Sequence, residues 1–263
     1  MTPRHEIIKT SVVLLVTAAL AFFAGVVFER QIGIDMFLLP SVAERVETGQ
    51  GGHPNVIQPR AAVVDSLPLP ADSIIVLGDS LIDLQEWSEL FPGTRVLNRG
   101  IGGARISDIT GRFDMSRARA VFCLIGINDI GHGVSFRQFA SDYDRFVRSL
   151  PSRVPFYALS LPPVLRYGSR SIDPPLIRRC NTFIRNEVRK RGYGAYIDIY
   201  YPLLKGMGPR GRATFFVNDG IHLNAEGYAV VTSIVRPYLD HATKEPLSRE
   251  TSHHGSPGGG NIP

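Results

Sequence analysis

A serine, a histidine, an aspartate, an asparagine and two adjacent glycines stand at places where they could act on one substrate. Ser80 ends the triplet Gly78-Asp79-Ser80, just after the apolar run at 73–76. His222 follows Asp219 by three residues in "NDGIHLNAEGY", 218–228. In a tight loop that spacing brings the carboxylate to the imidazole Nδ1–H and leaves Nε2 facing outward. Gly102 and Gly103, in "NRGIGGAR" at 98–105, leave backbone N–H groups open to close approach. Asn128, in "GINDI" at 126–130, offers a side-chain amide donor. Acyl transfer requires a nucleophile, a base within hydrogen-bond reach, a group that orients the base, and donors for the developing oxyanion. These residues supply one of each.

Singly, each has a plainer reading. Ser and Asp at a strand end bond free backbone N–H groups, so Ser80 could be a turn or helix-cap residue. A lone loop histidine is commonly a surface residue, a glycine pair a turn, and Asn128-Asp129 a helix cap. Two other motifs fail. The dinucleotide fingerprint G-x-G-x-x-G breaks at Arg105, and the nucleophile elbow G-x-S-x-G breaks at Ile82. The two cysteines, Cys123 and Cys180, fall in apolar positions and read as buried free thiols. They form no C-x-x-C and have no metal-ligand spacing. No metal or other cofactor is expected.

Five short apolar runs read as strands: "SIIVLG", "TRVLN", "AVFCLIG", "VPFYALS" and "AYIDIY". Most lack polar alternation, as expected of strands covered on both faces. Amphipathic segments lie between them. Ser135 should cap a helix carrying Phe136, Phe139, Tyr143, Phe146 and Val147 on one face. Asp173 should cap another, with Pro174 in its first turn and Leu176, Ile177, Cys180, Phe183, Ile184 and Val188 turned inward. A last helix should begin near Asn224 and end or kink at Pro237. Strands alternating with helices imply a doubly wound parallel sheet, whose sites lie at the carboxyl ends of the strands. Ser80, the 98–105 and 126–130 stretches and the 218–228 loop should share that edge.

With all four pieces in place, the chain resembles the SGNH hydrolases, also called GDSL esterases and lipases. The blocks that carry the resemblance are Gly78-Asp79-Ser80, Asn98 to Gly103, Gly126-Ile127-Asn128-Asp129, and Asp219-Gly220-Ile221-His222, over roughly residues 72–242. The resemblance implies a flavodoxin-like three-layer α/β/α sandwich with a five-stranded parallel sheet. It implies Ser80 as nucleophile, His222 as base and then acid, and Asp219 as the residue that holds the histidine. The backbone N–H groups of Ser80 and Gly103 and the Asn128 side chain would form the oxyanion hole, with Gly100 or Gly102 as alternative second-block donors. Asp79 and Asp129 would have structural roles, bonding loop backbone.

The rest of the chain bears on place and substrate. Residues 11–28 carry no charge and, as a helix, span roughly 27 Å, close to hydrocarbon thickness. Arg4 and Lys9 precede the run, so a membrane anchor with its N-terminus inside is expected. Cleavage after Ala19-Leu20-Ala21 is the competing reading. The expected division is anchor 1–30, linker 31–70, hydrolase domain 71–242 and disordered tail 243–263. The 263 residues carry a net charge of +5. The cluster Arg178, Arg179, Arg185, Arg189, Lys190 and Arg191 reads as a solvated helix face, and with no binding motif nucleic acid is not an expected partner. The family hydrolyses carboxylic esters and thioesters, and some members move acetyl groups on sugars. An acylated small molecule or glycan is therefore the expected substrate, first of all an acetylated envelope or exported polysaccharide. Lipid or thioester hydrolysis, O-acetyl transfer and a non-catalytic glycan-binding module are the alternatives. Arg99, Arg105, Arg166, Arg170, Arg210 and Arg212 would favour an anionic substrate if they face the site. Oligomeric state is open.

Overall fold

The computed structural model describes residues 54–164, 166–205 and 215–244. The apolar run at 11–28, most of the expected linker, Arg210, Arg212 and nearly all of the tail lie outside the described residues. Among those described, no helix is long and apolar enough to cross a membrane.

In chain order, α1 (Pro54–Ser66) precedes β1 (Ile74–Gly78), and the short helices α2 (Ser80–Asp83) and α3 (Trp87–Leu90) lead to β2 (Val96–Gly100). Next come α4 (Ile106–Ile109), β3 (Ala120–Leu124), α5 (Ile127–Gly131), α6 (Phe136–Ser149) and β4 (Phe156–Leu159). A small hairpin, β5 (Arg166–Tyr167) and β6 (Arg170–Ser171), separates β4 from α7 (Pro174–Arg191). The chain closes with β7 (Gly194–Ile197), α8 (Tyr200–Lys205) and α9 (Ala225–Lys244).

Five strands pair in parallel in the order β2-β1-β3-β4-β7. The five expected runs supply them. β1, β3 and β4 are buried at every position, which explains their unbroken apolar sequence. Helices cover both faces. Consecutive residues of a strand point to opposite sides: Phe156 meets Phe146 of α6, and Tyr157 meets Tyr238 of α9. The chain order reverses beside β1, so the carboxyl ends of β1 and β3 flank the crevice where such sheets place their sites. The hairpin β5–β6 is a separate antiparallel piece.

The helices follow the expected faces with three differences. Ser135 Oγ accepts the Gln138 N–H and α6 buries Phe139, Tyr143, Phe146 and Val147. Asp173 occupies the N-cap position of α7, but its side chain makes no capping bond, and Pro174 in the first turn has no N–H to satisfy. Pro237 does not end α9, which runs on to Lys244 because its last turns bury Leu239 and Ala242. The basic cluster on α7 is only partly solvated. Arg191 donates to the Leu150 and Val154 carbonyls after α6, Arg179 stacks on Phe136 and Arg185 on Tyr196.

The expected linker contributes structure to the domain. Ala61 and Val64 of α1 are buried in the core. Arg60 Nε lies 2.9 Å from Asp83 Oδ1, and it donates to the Gly100 carbonyl at 3.2 Å. The sequence hides this helix because Pro59 sits inside it and its apolar residues do not keep to one face, Ala62 and Val63 being exposed while Ala61 and Val64 are buried. Cys123 and Cys180 are free and buried.

Candidate active site

Ser80 is placed by the end of β1. A Cβ on Gly78 would lie 2.1 Å from the Leu124 carbonyl oxygen of β3, so only glycine lets the end of β1 lie so close to that strand. Asp79, not Ser80, caps the helix that follows: its Oδ1 accepts the Leu81 N–H at 3.0 Å. Ser80 is the first residue of α2, its hydroxyl not needed for the cap.

The loop 215–223 brings the histidine to it. Phe216 and Leu223 form an antiparallel bridge, and the Val217 N–H donates to the His222 carbonyl, closing the loop on itself. Asp219 Oδ1 accepts the N–H groups of Ile221 and His222. Its Oδ2 lies 2.6 Å from His222 Nδ1, and His222 Nε2 lies 2.8 Å from Ser80 Oγ. The carboxylate therefore sets the tautomer: Nδ1 carries the proton and Nε2 is free to accept from the serine hydroxyl. Burial alone would raise the Asp219 pKa, but the hydrogen bonds from His222 and from the backbone of Ile221 and His222 outweigh it and hold the carboxyl below its ordinary value.

The second block lies alongside. A Cβ on Gly102 would lie 4.0 Å from Ser80 Cβ. Asn98 holds this segment to the first block: its Nδ2 donates to the Ile82, Asp83 and Gln85 carbonyls, and its Oδ1 accepts the Gly100 N–H. The third block enters through Gly126, with φ of 120° and the Phe139 ring where a Cβ would be. Asn128, almost fully buried on α5, donates from Nδ2 to the Ala104 carbonyl at 2.9 Å, one residue from Gly103. The backbone N–H groups of Ser80 and Gly103 and the second Nδ2 hydrogen of Asn128 have no acceptor among the described residues. The structure thus joins Ser80, His222 and Asp219 in one hydrogen-bonded line, and brings Gly102 beside Ser80 and Asn128 beside the Gly103 segment.

Two carboxyls lie behind the site. Asp79 and Asp129 are both buried, and Asp129 Oδ2 accepts the Ile106 N–H that starts α4. Burial, with Asp129's charge adding to it, raises the Asp79 pKa from 3.8 to about 7, and burial raises that of Asp129 to about 7. The folded chain therefore keeps a proton on Asp79 that the unfolded chain has released. Stability falls as pH climbs from about 4 to about 7, and the full cost is present above that window. Asp79→Asn keeps the acceptor for Leu81 and carries no charge. Urea unfolding should show the variant about as stable as the parent at pH 4 and more stable at pH 8, by about 2–4 kcal/mol. Equal stabilities at pH 8 would mean that burial does not raise the Asp79 pKa.

The arginines among the described residues take different places. Arg99 is buried and spent on the Pro68 and Asn98 carbonyls. Arg166 and Arg170 are exposed on the hairpin. Arg105 is half-buried, and its charge works against the rise in the pKa values of Asp129 and Tyr167. The residue missed from sequence is Tyr167, whose hydroxyl donates to Asn128 Oδ1 at 2.9 Å. Only its position in the loop after the fourth strand hinted at it.

A doubly wound parallel sheet with hydroxyl, imidazole and carboxylate in line at its carboxyl edge is the architecture of an α/β acylhydrolase. Residues 76–230 match the GDSL-like lipase/acylhydrolase family, and the chain belongs to it. It is an ester hydrolase of the GDSL/SGNH type. No curated protein matches the sequence. Among solved structures, a GDSL-like lipase from Bacteroides thetaiotaomicron is similar at 18% identity and a TM-score of 0.56, covering 70% of this chain and 97% of that one. The catalytic domain of peptidoglycan O-acetyltransferase A from Streptococcus pneumoniae is similar at 16% identity and TM-score 0.50, over 67% and 97% of the two chains. An acetyl xylan esterase, AlAXEase, is similar at 18% and 0.50, over 63% and 98%. At these identities the likeness is one of fold.

Proposed function

We propose that the protein removes acetyl groups from an envelope or exported polysaccharide through a Ser80 acyl-enzyme, working outside the membrane that residues 11–28 anchor it to. The observation that carries the chemistry is the line of contacts from Asp219 through His222 to Ser80, at 2.6 and 2.8 Å. His222 Nε2 takes the Ser80 proton as Oγ attacks the ester carbonyl, and returns it to the leaving alkoxide. Water then attacks the acyl-enzyme with the same histidine as base. The Ser80 and Gly103 N–H groups and the Asn128 amide receive the oxyanion at each tetrahedral stage. The uncharged length of 11–28, with Arg4 and Lys9 before it, supports the anchor and its direction. The likeness to acetyl-handling enzymes on sugar polymers supports an acetyl substrate.

A second reading rests on Leu84 and Val217, which are 58% and 43% exposed. The Leu84 N–H donates to the Ser80 carbonyl and the Val217 N–H to that of His222, and these exposed apolar residues on the two site-bearing segments support a longer acyl chain as the alternative. The full-length chain assayed on p-nitrophenyl acetate, butyrate and decanoate separates the two. A steep preference for acetate, absent in Ser80→Ala, is the expected result. A preference for decanoate would replace the acetyl reading with a lipid one. Turnover that survives Ser80→Ala, or no turnover in the parent, would overturn the mechanism.

A further inference from the structure

We propose that Tyr167 is a positioning residue that holds and polarises the Asn128 amide from the β5–β6 hairpin. The inference rests on the reading of Asn128 as an oxyanion donor. The Ala104 carbonyl can only accept, so it draws Nδ2 and leaves Oδ1 on the opposite side of the amide. There the Tyr167 hydroxyl donates to Oδ1 at 2.9 Å. The amide is thus gripped at both ends, with one Nδ2 hydrogen left for substrate. A donor on Oδ1 also withdraws density from the amide nitrogen, which makes that remaining N–H a stronger donor.

The ring is placed to keep the grip. A Cβ at Gly131 would lie 2.4 Å from Tyr167 Cγ and Cδ2, so the ring rests directly on the backbone of α5. It also meets the His132 ring at a centroid distance of 5.4 Å. His132 Nδ1 in turn lies 2.7 Å from the Asn128 carbonyl, one turn back on the same helix. Tyr167, Asn128, Gly131 and His132 therefore form one packed unit, in which the hairpin covers the element that carries the amide.

Tyr167→Phe removes the hydroxyl and keeps the ring on Gly131. Its kcat on p-nitrophenyl acetate should fall about 3- to 10-fold, the worth of one neutral hydrogen bond, with KM within about twofold of the parent. In an Asn128→Ala background the same change should cost nothing further, because the group it acts through is gone. Tyr167→Leu, which loses the ring as well, should fall further than Tyr167→Phe. An unchanged kcat in Tyr167→Phe, or the same loss in both backgrounds, overturns the proposal and leaves the proposed function standing. Asn128→Ala with parental kcat would instead remove the oxyanion assignment, and the role of Tyr167 with it.

Discussion

Ser80→Ala, His222→Ala and the double variant should all lose ester hydrolysis to the same depth, about 10,000- to 1,000,000-fold in kcat. In the proposed mechanism nucleophile and base act as one unit: His222 Nε2, 2.8 Å from Ser80 Oγ, would have no other proton to take in the acylation step. Removing either leaves the other without a task, so the second substitution adds nothing. Asp219→Asn should cost less, up to about 10,000-fold, because the base remains but loses the carboxylate that fixes its tautomer and faces the imidazolium. The low pKa of Asp219 keeps that carboxylate charged into the acid range. Single-turnover hydrolysis of p-nitrophenyl acetate by each variant checks the ordering. Additive losses in the double variant would show that serine and histidine act separately, and would remove the acyl-enzyme scheme.

The sheet could be read from sequence because its strands are buried on both faces. A run such as Ile74–Gly78 or Ala120–Leu124 has no polar alternation to confuse it with a surface element, and the amphipathic helices α6 and α7 display their inner faces at helical spacing. The Asp219–His222 contact could be read because the two are three residues apart, a spacing at which local loop geometry alone suffices. Ser80 was legible only through its company. The Asp79-Ser80 pair reads equally well as a cap, and in the structure Asp79 takes the cap while Ser80 takes the histidine.

What escaped the sequence depends on contacts across long separations. Helix α1 is held by Ala61, Val64 and the Arg60–Asp83 ion pair, and none of these partners leaves a mark in the local pattern. The continuation of α9 past Pro237 depends on burial of Leu239 and Ala242, which outweighs the lost backbone bond. Tyr167 lies 39 residues from Asn128, in a hairpin of two-residue strands too short to show any period. Arg99, next to the Gly100–Gly103 stretch in sequence, points to the Pro68 carbonyl because it lies on β2, where alternate side chains leave on opposite faces.

Asn128→Ala should lower kcat on p-nitrophenyl acetate about 100- to 1,000-fold while leaving KM nearly unchanged. The split follows from when the bond is made. A planar ester carbonyl carries little charge, whereas the tetrahedral intermediate carries a full oxyanion, so a fixed amide donor acts mainly on the barrier. Asn128→Asp should be no better than alanine, since a carboxylate would face both the Ala104 carbonyl and the developing oxyanion without a proton to give. The substitution to alanine also leaves the Ala104 carbonyl and the Tyr167 hydroxyl without their partner, at a cost of about 1–3 kcal/mol in stability. That loss is separable from catalysis. Titration of Ser80 with an organophosphorus reagent counts the folded sites, and kcat is then referred to that count at a temperature well below the melting point. A variant that titrates fully and turns over 100-fold slower has lost a donor. One whose kcat per titrated site equals the parent's would show that Asn128 only supports the fold, and the oxyanion would then rest on the Ser80 and Gly103 N–H groups alone.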